Sequence, residues 1–354
     1  DLDRLEDNSS SNENRELVVK VWYPGSSLGT GERMSRIEKP ELLIESLSEE
    51  FGLPKATMVN IKNIKSFSIQ DIDPNSLNAP YPLILFSHGL GGMKTQNLIQ
   101  IEELVSHGYI VAACDHTYDA YKTYFPDGRQ ILSDNILPNG ISDDEIWVIR
   151  ERQLITRALD MIFILDQLDK IQNGSIPSKL TGMIDLDRIG IFGHSFGSAT
   201  SIYSTYLDMR IDACLGLDGW FLPIPKRVID SNLNVPLMHI GQIDWEDKRN
   251  FEILDKINSN NTEFSLRINV PGTNHFDYTD FIQYSSYSKY FGINGDVSPN
   301  EIRDLMNFCV IKYFNHNLKD STYTDWNILK KKYPIFKHLN RYIPLSILGH
   351  NSRK

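Results

Sequence analysis

Between Ile189 and Thr200 the chain reads IGIFGHSFGSAT, which places Ser195 midway between Gly193 and Gly197. A serine hydroxyl is a poor nucleophile near neutral pH. It becomes reactive when a base lies within hydrogen-bond reach and an acid orients that base. The Gly-x-Ser-x-Gly spacing suits such a serine where a strand ends and a helix begins. The backbone turns sharply there, and side chains two residues away on either side would collide with the turn. Glycine removes the collision. The hydroxyl is then presented at the carboxyl edge of a sheet, with the positive end of the helix directed at it. The bare pattern is weak, and its context strengthens it: an apolar run leads in and a helix-like stretch follows.

Partners of a serine in this kind of turn follow in the order acid, then histidine. The later histidines are His239, His275, His316, His338 and His350. His239 lies inside an apolar strand and reads as core. His316 and His338 fall in C-terminal helices or loops, and His350 in the tail. His275 follows FSLRINV within PGTNHFDY, a loop at the carboxyl edge, and is the expected base. Two aspartates qualify as the acid. Asp218 ends ACLGLDGW and Asp244 follows VPLMHIGQI. Both sit at carboxyl ends of strands, and position alone does not choose between them; Asp212 and Asp277 are less well placed. The oxyanion formed on an attacked carbonyl needs backbone N–H donors. One is expected from Phe196. The other is expected from Leu90 in HGLGG (88–92), which resembles the glycine-rich oxyanion loop of lipases and esterases. His88 precedes the serine and is read as a brace for that loop. Trp220, Phe221 and His194 are expected to line an acyl pocket, with packing beneath the sheet edge as the alternative for the two aromatics. The aromatic stretch 276–291 reads as a helix packed on the core or, less favoured, a lipid-facing surface. Asp115, His116 and Asp119 form a weak metal motif. No metal and no cofactor is expected, since the chain has no His-Glu-x-x-His, no Gly-x-x-x-x-Gly-Lys and no Gly-x-Gly-x-x-Gly.

Positioning these residues requires strands and helices in alternation. LVVKVWYP (17–24), YPLILFSHG (81–89), YIVAACDH (109–116), RIGIFGHS, ACLGLDGW (213–220), VPLMHIGQ (235–242) and FSLRINV (264–270) read as strands. Helices are expected over 40–52, about 94–107, 196–208, about 247–258 and 298–314, the last capped by Ser298. SDDE (142–145) is a capping box. It opens a long helix whose apolar face is read as Ile146, Ile149, Ile155, Leu159 and Ile162. Short apolar strands alternating with helices imply a mostly parallel central sheet with helices on both faces. The expectation is one domain over 1–354. Residues 1–16 are read as flexible, 25–80 as an N-terminal embellishment and 320–354 as a C-terminal extension.

Composition narrows the function. The formal net charge is −10 and no basic patch stands out, so nucleic acid is not an expected partner. No apolar run reaches the roughly 18 residues of a membrane span. Cys114, Cys214 and Cys309 sit in apolar surroundings and read as buried thiols. A secreted or cell-envelope setting is slightly favoured over the cytoplasm. The residues do not fix an oligomeric state.

YPLILFSHGLGG, LVSHGYIVAACDH, GHSFGSAT, LGLDGWFLPI and GTNHFDYTDF are together similar to the platelet-activating-factor acetylhydrolase family, which includes the lipoprotein-associated phospholipase. The similarity covers most of residues 81–285 and fades before 60 and after 320. It implies an α/β-hydrolase fold and a serine-dependent, calcium-independent hydrolase. The implied substrates are small esters, or phospholipids bearing short or oxidised acyl chains. Carried over by position, Ser195 is the nucleophile, His275 the base and Asp218 the acid, because the family's aspartate lies in an LD-small-W segment. Leu90 and Phe196 supply the oxyanion hole. The segment after His116 and the N-terminal helix do not map onto the family pattern, which leaves contact with a membrane or lipid surface open. An acyltransferase, a peptidase or a polyester-type hydrolase would use the same residues. A silent binding protein of this fold would lack one of the three, and none is missing.

Overall fold

The computed structural model describes residues 14–26, 31–52, 54–284, 289, 292–319, 321, 324–333, 335 and 346–348. Among the described residues eight strands form the central sheet: β1 Val18–Trp22, β2 Tyr81–Ser87, β3 Ile110–Asp115, β4 Ile184–His194, β5 Ile211–Leu217, β6 Leu237–Gln242, β7 Ser265–Val270 and the short β8 Ser346–Leu348. Their order is β1-β3-β2-β4-β5-β6-β7-β8. The six strands from β2 to β7 pair in parallel, while β1 and β8 run antiparallel at the two edges. The chain leaves β2 for β3 on one side and then crosses to β4 on the other. This switch opens a crevice at the carboxyl ends of β2 and β4, where α/β sheets take their ligands.

Side-chain alternation buries both faces of the sheet. Ile84 and Phe86 of β2 and Val111 and Ala113 of β3 face the helices α2 (Leu98–Ser106) and α6 (Pro299–Leu318). Leu83, Leu85, Ile110 and Ala112 face α3 (Asp143–Gln172), α4 (Phe196–Leu207) and α5 (Arg249–Asn260). The Ser142–Glu145 capping box is formed, and Ser298 caps α6. The expected α/β architecture with helices on both faces is therefore present. No helix among the described residues is long and apolar enough to cross a membrane. The three thiols are buried and unpaired.

Three expectations need correction. The inward face of α3 is not the apolar stripe of Ile146, Ile149, Ile155, Leu159 and Ile162, whose members are half-buried. It carries Leu154, Ala158, Met161, Leu165 and Leu168, interrupted by the buried Arg150, Arg157 and Asp160. Charged residues on the inner side hide that face from a pattern of apolar residues. Arg15, read as part of a flexible terminus, is buried because its guanidinium pairs with the Asp160 carboxylate at 2.7 Å. The aromatic stretch begins with two 3-10 turns, His275–Tyr278 and Asp280–Gln283, rather than a longer helix. Tyr278 in the first and Tyr284 just past the second are buried, while 285–288 and 290–291 lie outside the described residues. Within the Asp115–His116–Asp119 motif, Asp115 pairs with Lys94 at 2.7 Å and His116 with Asp160 at 2.9 Å.

The N-terminal embellishment contains α1 (Pro40–Phe51), a 3-10 helix (Lys55–Asn63) and a two-stranded ribbon of Arg33–Ser35 with Lys65–Ile69. It has a small core of its own, in which Ile37, Leu43, Ile44, Met58 and Ile61 pack on Tyr284 and Ile293. Arg36 reaches the buried Asp280 at 3.2 Å, so this layer is tied to the loop that follows His275.

Candidate active site

Ser195 directly follows β4 and stands at the N-cap of α4 with φ 55° and ψ −120°. That conformation is strained for a residue with a side chain, at a cost of about 1–3 kcal/mol, and it persists because its surroundings fix it. The Ser195 N–H donates to Leu217 C=O at 3.0 Å. The Ser195 carbonyl accepts from Ser198 and Trp220 N–H, each at 3.0 Å. A Cβ at Gly193 would overlap the Gly197 carbonyl and come within 2.8 Å of Ser87 O. A Cβ at Gly197 would overlap Ser87 O and come within 2.7 Å of His88 O. The two glycines let β4 and α4 press against the end of β2, which keeps the serine beside the loop that follows β2.

His275 lies one turn beyond β7. Its Nδ1–H donates to Asp218 Oδ2 at 2.6 Å. Asp218 is fully buried, at φ 41°, just past β5. Its other oxygen accepts the Gln242 backbone N–H at 2.8 Å, and the Gln242 side chain donates to Oδ2 at 3.1 Å. These bonds leave the carboxylate one orientation, with Oδ2 toward the imidazole. Asp244 is exposed and makes no such contact, so the aspartate that meets His275 is Asp218.

The His275 ring lies against that of His194, the residue before Ser195, with centroids 4.5 Å apart. His194 Nε2–H donates to the His275 carbonyl at 3.1 Å, and Nδ1 accepts from the Gln96 side chain at 3.2 Å. Gln96 Oε1 in turn accepts the Gly89 N–H at 2.8 Å. Burial, with the neighbouring His275 second, pushes the His194 pKa well below the usual histidine range, so its ring stays neutral with this tautomer. His194 was expected in a pocket. It is instead a buried link between the β4 turn, the loop after β2 and the loop carrying His275.

In that loop the N–H groups of Gly89, Gly91 and Gly92 are taken by Gln96 Oε1, Asp119 C=O and Gly89 C=O. The Leu90 and Phe196 N–H groups donate to nothing among the described residues. Two unclaimed donors at the ends of adjacent segments are what a developing oxyanion requires. His88 is neutral and fully buried, donating from Nδ1 to Gly89 C=O at 2.6 Å, which is the bracing part expected of it. His239 is buried as expected and accepts the Gly219 N–H at 3.1 Å.

Aromatic rings flank the serine. Trp220 is half-buried, 5.3 Å from the Phe196 ring and 6.4 Å from Trp147 at the start of α3. Trp245 stands edge-on to His275 at 5.0 Å. Phe221, the other expected pocket residue, is 1% exposed and packs edge-on to His239, so it belongs to the core under the sheet edge. Gln96, Trp147 and Trp245 were missed. Trp245 lies three residues beyond the end of β6 and was findable by position, whereas nothing local marks Gln96.

A family model described as "Platelet-activating factor acetylhydrolase, isoform II" matches residues 6–333, well beyond the motif-bearing stretch 81–285. The platelet-activating factor acetylhydrolase of Canis lupus familiaris is 30% identical over 335 residues, which is 86% of this chain and 72% of that one. That of Gallus gallus is 28% identical over 263 residues, 67% of this chain and 62% of that one. Among solved structures, a ferulic acid esterase from Streptomyces cinnamoneus superposes with a TM-score of 0.72 at 25% identity, covering 91% of this chain and 88% of that one.

Proposed function

Because the chain belongs to the platelet-activating factor acetylhydrolase isoform II family, we propose that it is a serine carboxylic-ester hydrolase cleaving short acyl esters, phospholipid-like or small, through an acyl-enzyme. The observation that carries this reading is the 2.6 Å His275–Asp218 contact beside a serine held at positive φ. His275 takes the Ser195 proton as Oγ attacks the ester carbonyl. Asp218 keeps the proton-bearing Nδ1 turned away from the serine and stabilises the imidazolium that forms. The Leu90 and Phe196 N–H groups hold the oxyanion. His275 then protonates the departing alcohol. Water enters, gives its proton to the same nitrogen, and releases the acid. Trp220 and Trp147 give the acyl or alcohol part of the substrate an apolar wall.

A panel of nitrophenyl esters of increasing acyl length, with a short-chain phospholipid included, tests the reading. Short esters should turn over fastest. Ser195→Ala should lower kcat/KM by about 10³–10⁶-fold and abolish labelling by a fluorophosphonate probe. A Ser195→Ala protein that keeps most of its activity would refute the assignment.

A further inference from the structure

We propose that Arg157, on the inner face of α3, is a positioning residue that sets the gap between the two oxyanion amides. The inference rests on the hydrolase reading above. The guanidinium is fully buried and touches both sides of the hole. On the β2 side it donates from one terminal nitrogen to the His88 carbonyl and to Ser87 Oγ, the latter at 3.2 Å. On the α4 side its Nε donates to Thr200 Oγ1 at 3.2 Å, and its carbon lies 4.9 Å from the centre of the Phe196 ring. One rigid planar group therefore spans the segment leading to Leu90 and the turn that begins at Phe196. Burying a cation costs several kcal/mol unless it is compensated. Here Asp119 answers the charge at 3.5 Å.

The anchor on the β2 side is itself fixed. Ser87 Oγ–H donates to His116 Nε2 at 3.0 Å, and His116 Nδ1–H donates to Asp160 Oδ2 at 2.9 Å. Arg15 holds both Asp160 oxygens at 2.7 Å. The His116 N–H donates to His88 Nε2 at 3.1 Å, which completes the hold on residues 87–89. Leu90 is the next residue along. An oxyanion donor must end within about 2.7–3.1 Å of an oxygen that exists only transiently. Freedom of a few tenths of an ångström in this loop would therefore be felt in the rate.

The test uses a matched pair of nitrophenyl substrates, an oxoester and its thionoester. Sulfur accepts hydrogen bonds poorly, so the oxo-to-thiono ratio of kcat/KM reads the oxyanion hole itself. Arg157→Lys keeps the charge but loses the fork. It should lower kcat on the oxoester by about 10–100-fold, with KM within about threefold, the pH profile unmoved and the ratio down at least about tenfold. Ser87→Ala removes one anchor and should move the ratio the same way by about threefold. Equal losses on both substrates, or no loss, would overturn the proposal. Should Arg157→Lys fail to fold by circular dichroism, an unchanged ratio in Ser87→Ala overturns it alone. A wild-type protein that hydrolyses neither substrate and takes no fluorophosphonate label would instead sink the hydrolase reading, and this inference with it.

Discussion

Two serine–histidine–aspartate chains can be compared among the described residues: the one proposed for catalysis, Ser195 with His275 and Asp218, and a second of Ser87 with His116 and Asp160. Both sit at carboxyl ends of central strands, and in both the aspartate takes the histidine Nδ1–H at under 3 Å. They differ in surroundings. The His275 side chain is 28% exposed, and its carboxylate partner is held by neutral amides of Gln242. The second chain is wholly buried, and guanidinium groups stand at both ends of it: Arg15 on Asp160 and Arg157 on Ser87. Burial, then the positive charge of Arg157, brings the His116 pKa down to about 3, so that ring is a poor proton acceptor. For Asp160, burial opposes ionisation. Arg15 overcomes it and holds the carboxyl well below the ordinary carboxylate range. On the hydrolase reading proposed above, the same three residue types serve as reactive groups where solvent and substrate can enter. They serve as a fixed strut where two cations and the core close them in.

The sharpest way to break this contrast is to make the same change in each chain. Asp218→Asn should lower kcat by about 10³–10⁴-fold with little loss of stability. The Gln242 N–H already donates to Oδ1, so an asparagine would keep its oxygen there and turn its NH₂ toward His275. That forces the wrong imidazole tautomer. Asp244→Asn, at an exposed position, should stay within about twofold of wild type. Steady-state kinetics on one short ester decides the matter, and the reverse result would move the acid to Asp244. Asp160→Asn should do the opposite. It leaves Arg15 buried without its carboxylate and should cost about 3–5 kcal/mol of stability in urea titrations. The folded enzyme should keep its kcat within about tenfold, because no reacting atom meets Asp160.

The two regions also differed in how far the sequence disclosed them. The demands on Ser195 are local: a strand, a reversal and glycines two residues to either side. They are written into twelve consecutive residues, and most strands around them are short apolar runs placed to within a residue or two, although β4 begins four residues before RIGIFGHS and β5 ends three residues before Trp220. His275 followed from its place after β7. The choice between Asp218 and Asp244 could not be made from position, since both end parallel strands. Only after folding do the imidazole orientation and the Gln242 amides set Asp218, rather than Asp244, against His275. The strut is built from contacts 29 to 145 residues apart in the chain. Arg157 and Asp160 sit where an apolar residue would mark the inner face of α3, so the apolar pattern points to the wrong side of that helix. Arg15 lies in a polar stretch that resembles a loose terminus. Buried charge paired across the fold leaves no periodic trace.

Acid should separate the two chains by stability rather than rate. The folded protein keeps His116 neutral until about pH 3, while an unfolded histidine takes its proton near 6.5. Below that pH the unfolded chain binds more protons. The stability contributed by a neutral His116 is therefore complete above about pH 6.5 and is lost as the pH falls toward 3, at about 1.4 kcal/mol per pH unit. Asp160 adds a second loss lower down. Its folded pKa lies below the unfolded value of about 3.9, so its contribution stands above that pH and goes as the pH falls through the folded value. Urea titrations of His116→Asn between pH 6 and pH 4 should give a slope shallower than wild type by about one proton. An unchanged slope would mean that His116 charges in the folded state and that its part of the strut is misread.

The smallest expected effect lies at the rim of the reactive chain, where the buried chain has no counterpart. Trp147 reaches Trp220 from the first turns of α3, beside an exposed Val148, and it touches none of the groups assigned to bond breaking. A wall of two indoles gives an apolar group area to lie against, and such pairs are worth about 0.5–1.5 kcal/mol beyond simple burial. Trp147→Leu should therefore leave turnover of a nitrophenyl acetate almost unchanged and raise KM for a bulkier acyl ester by about threefold to tenfold. Equal changes on both esters would make Trp147 a packing residue for the Trp220 turn. A larger loss on the acetate would mean that the Trp220 N–H bond to the Ser195 carbonyl depends on the outer indole, and that the rim and the serine turn form one unit.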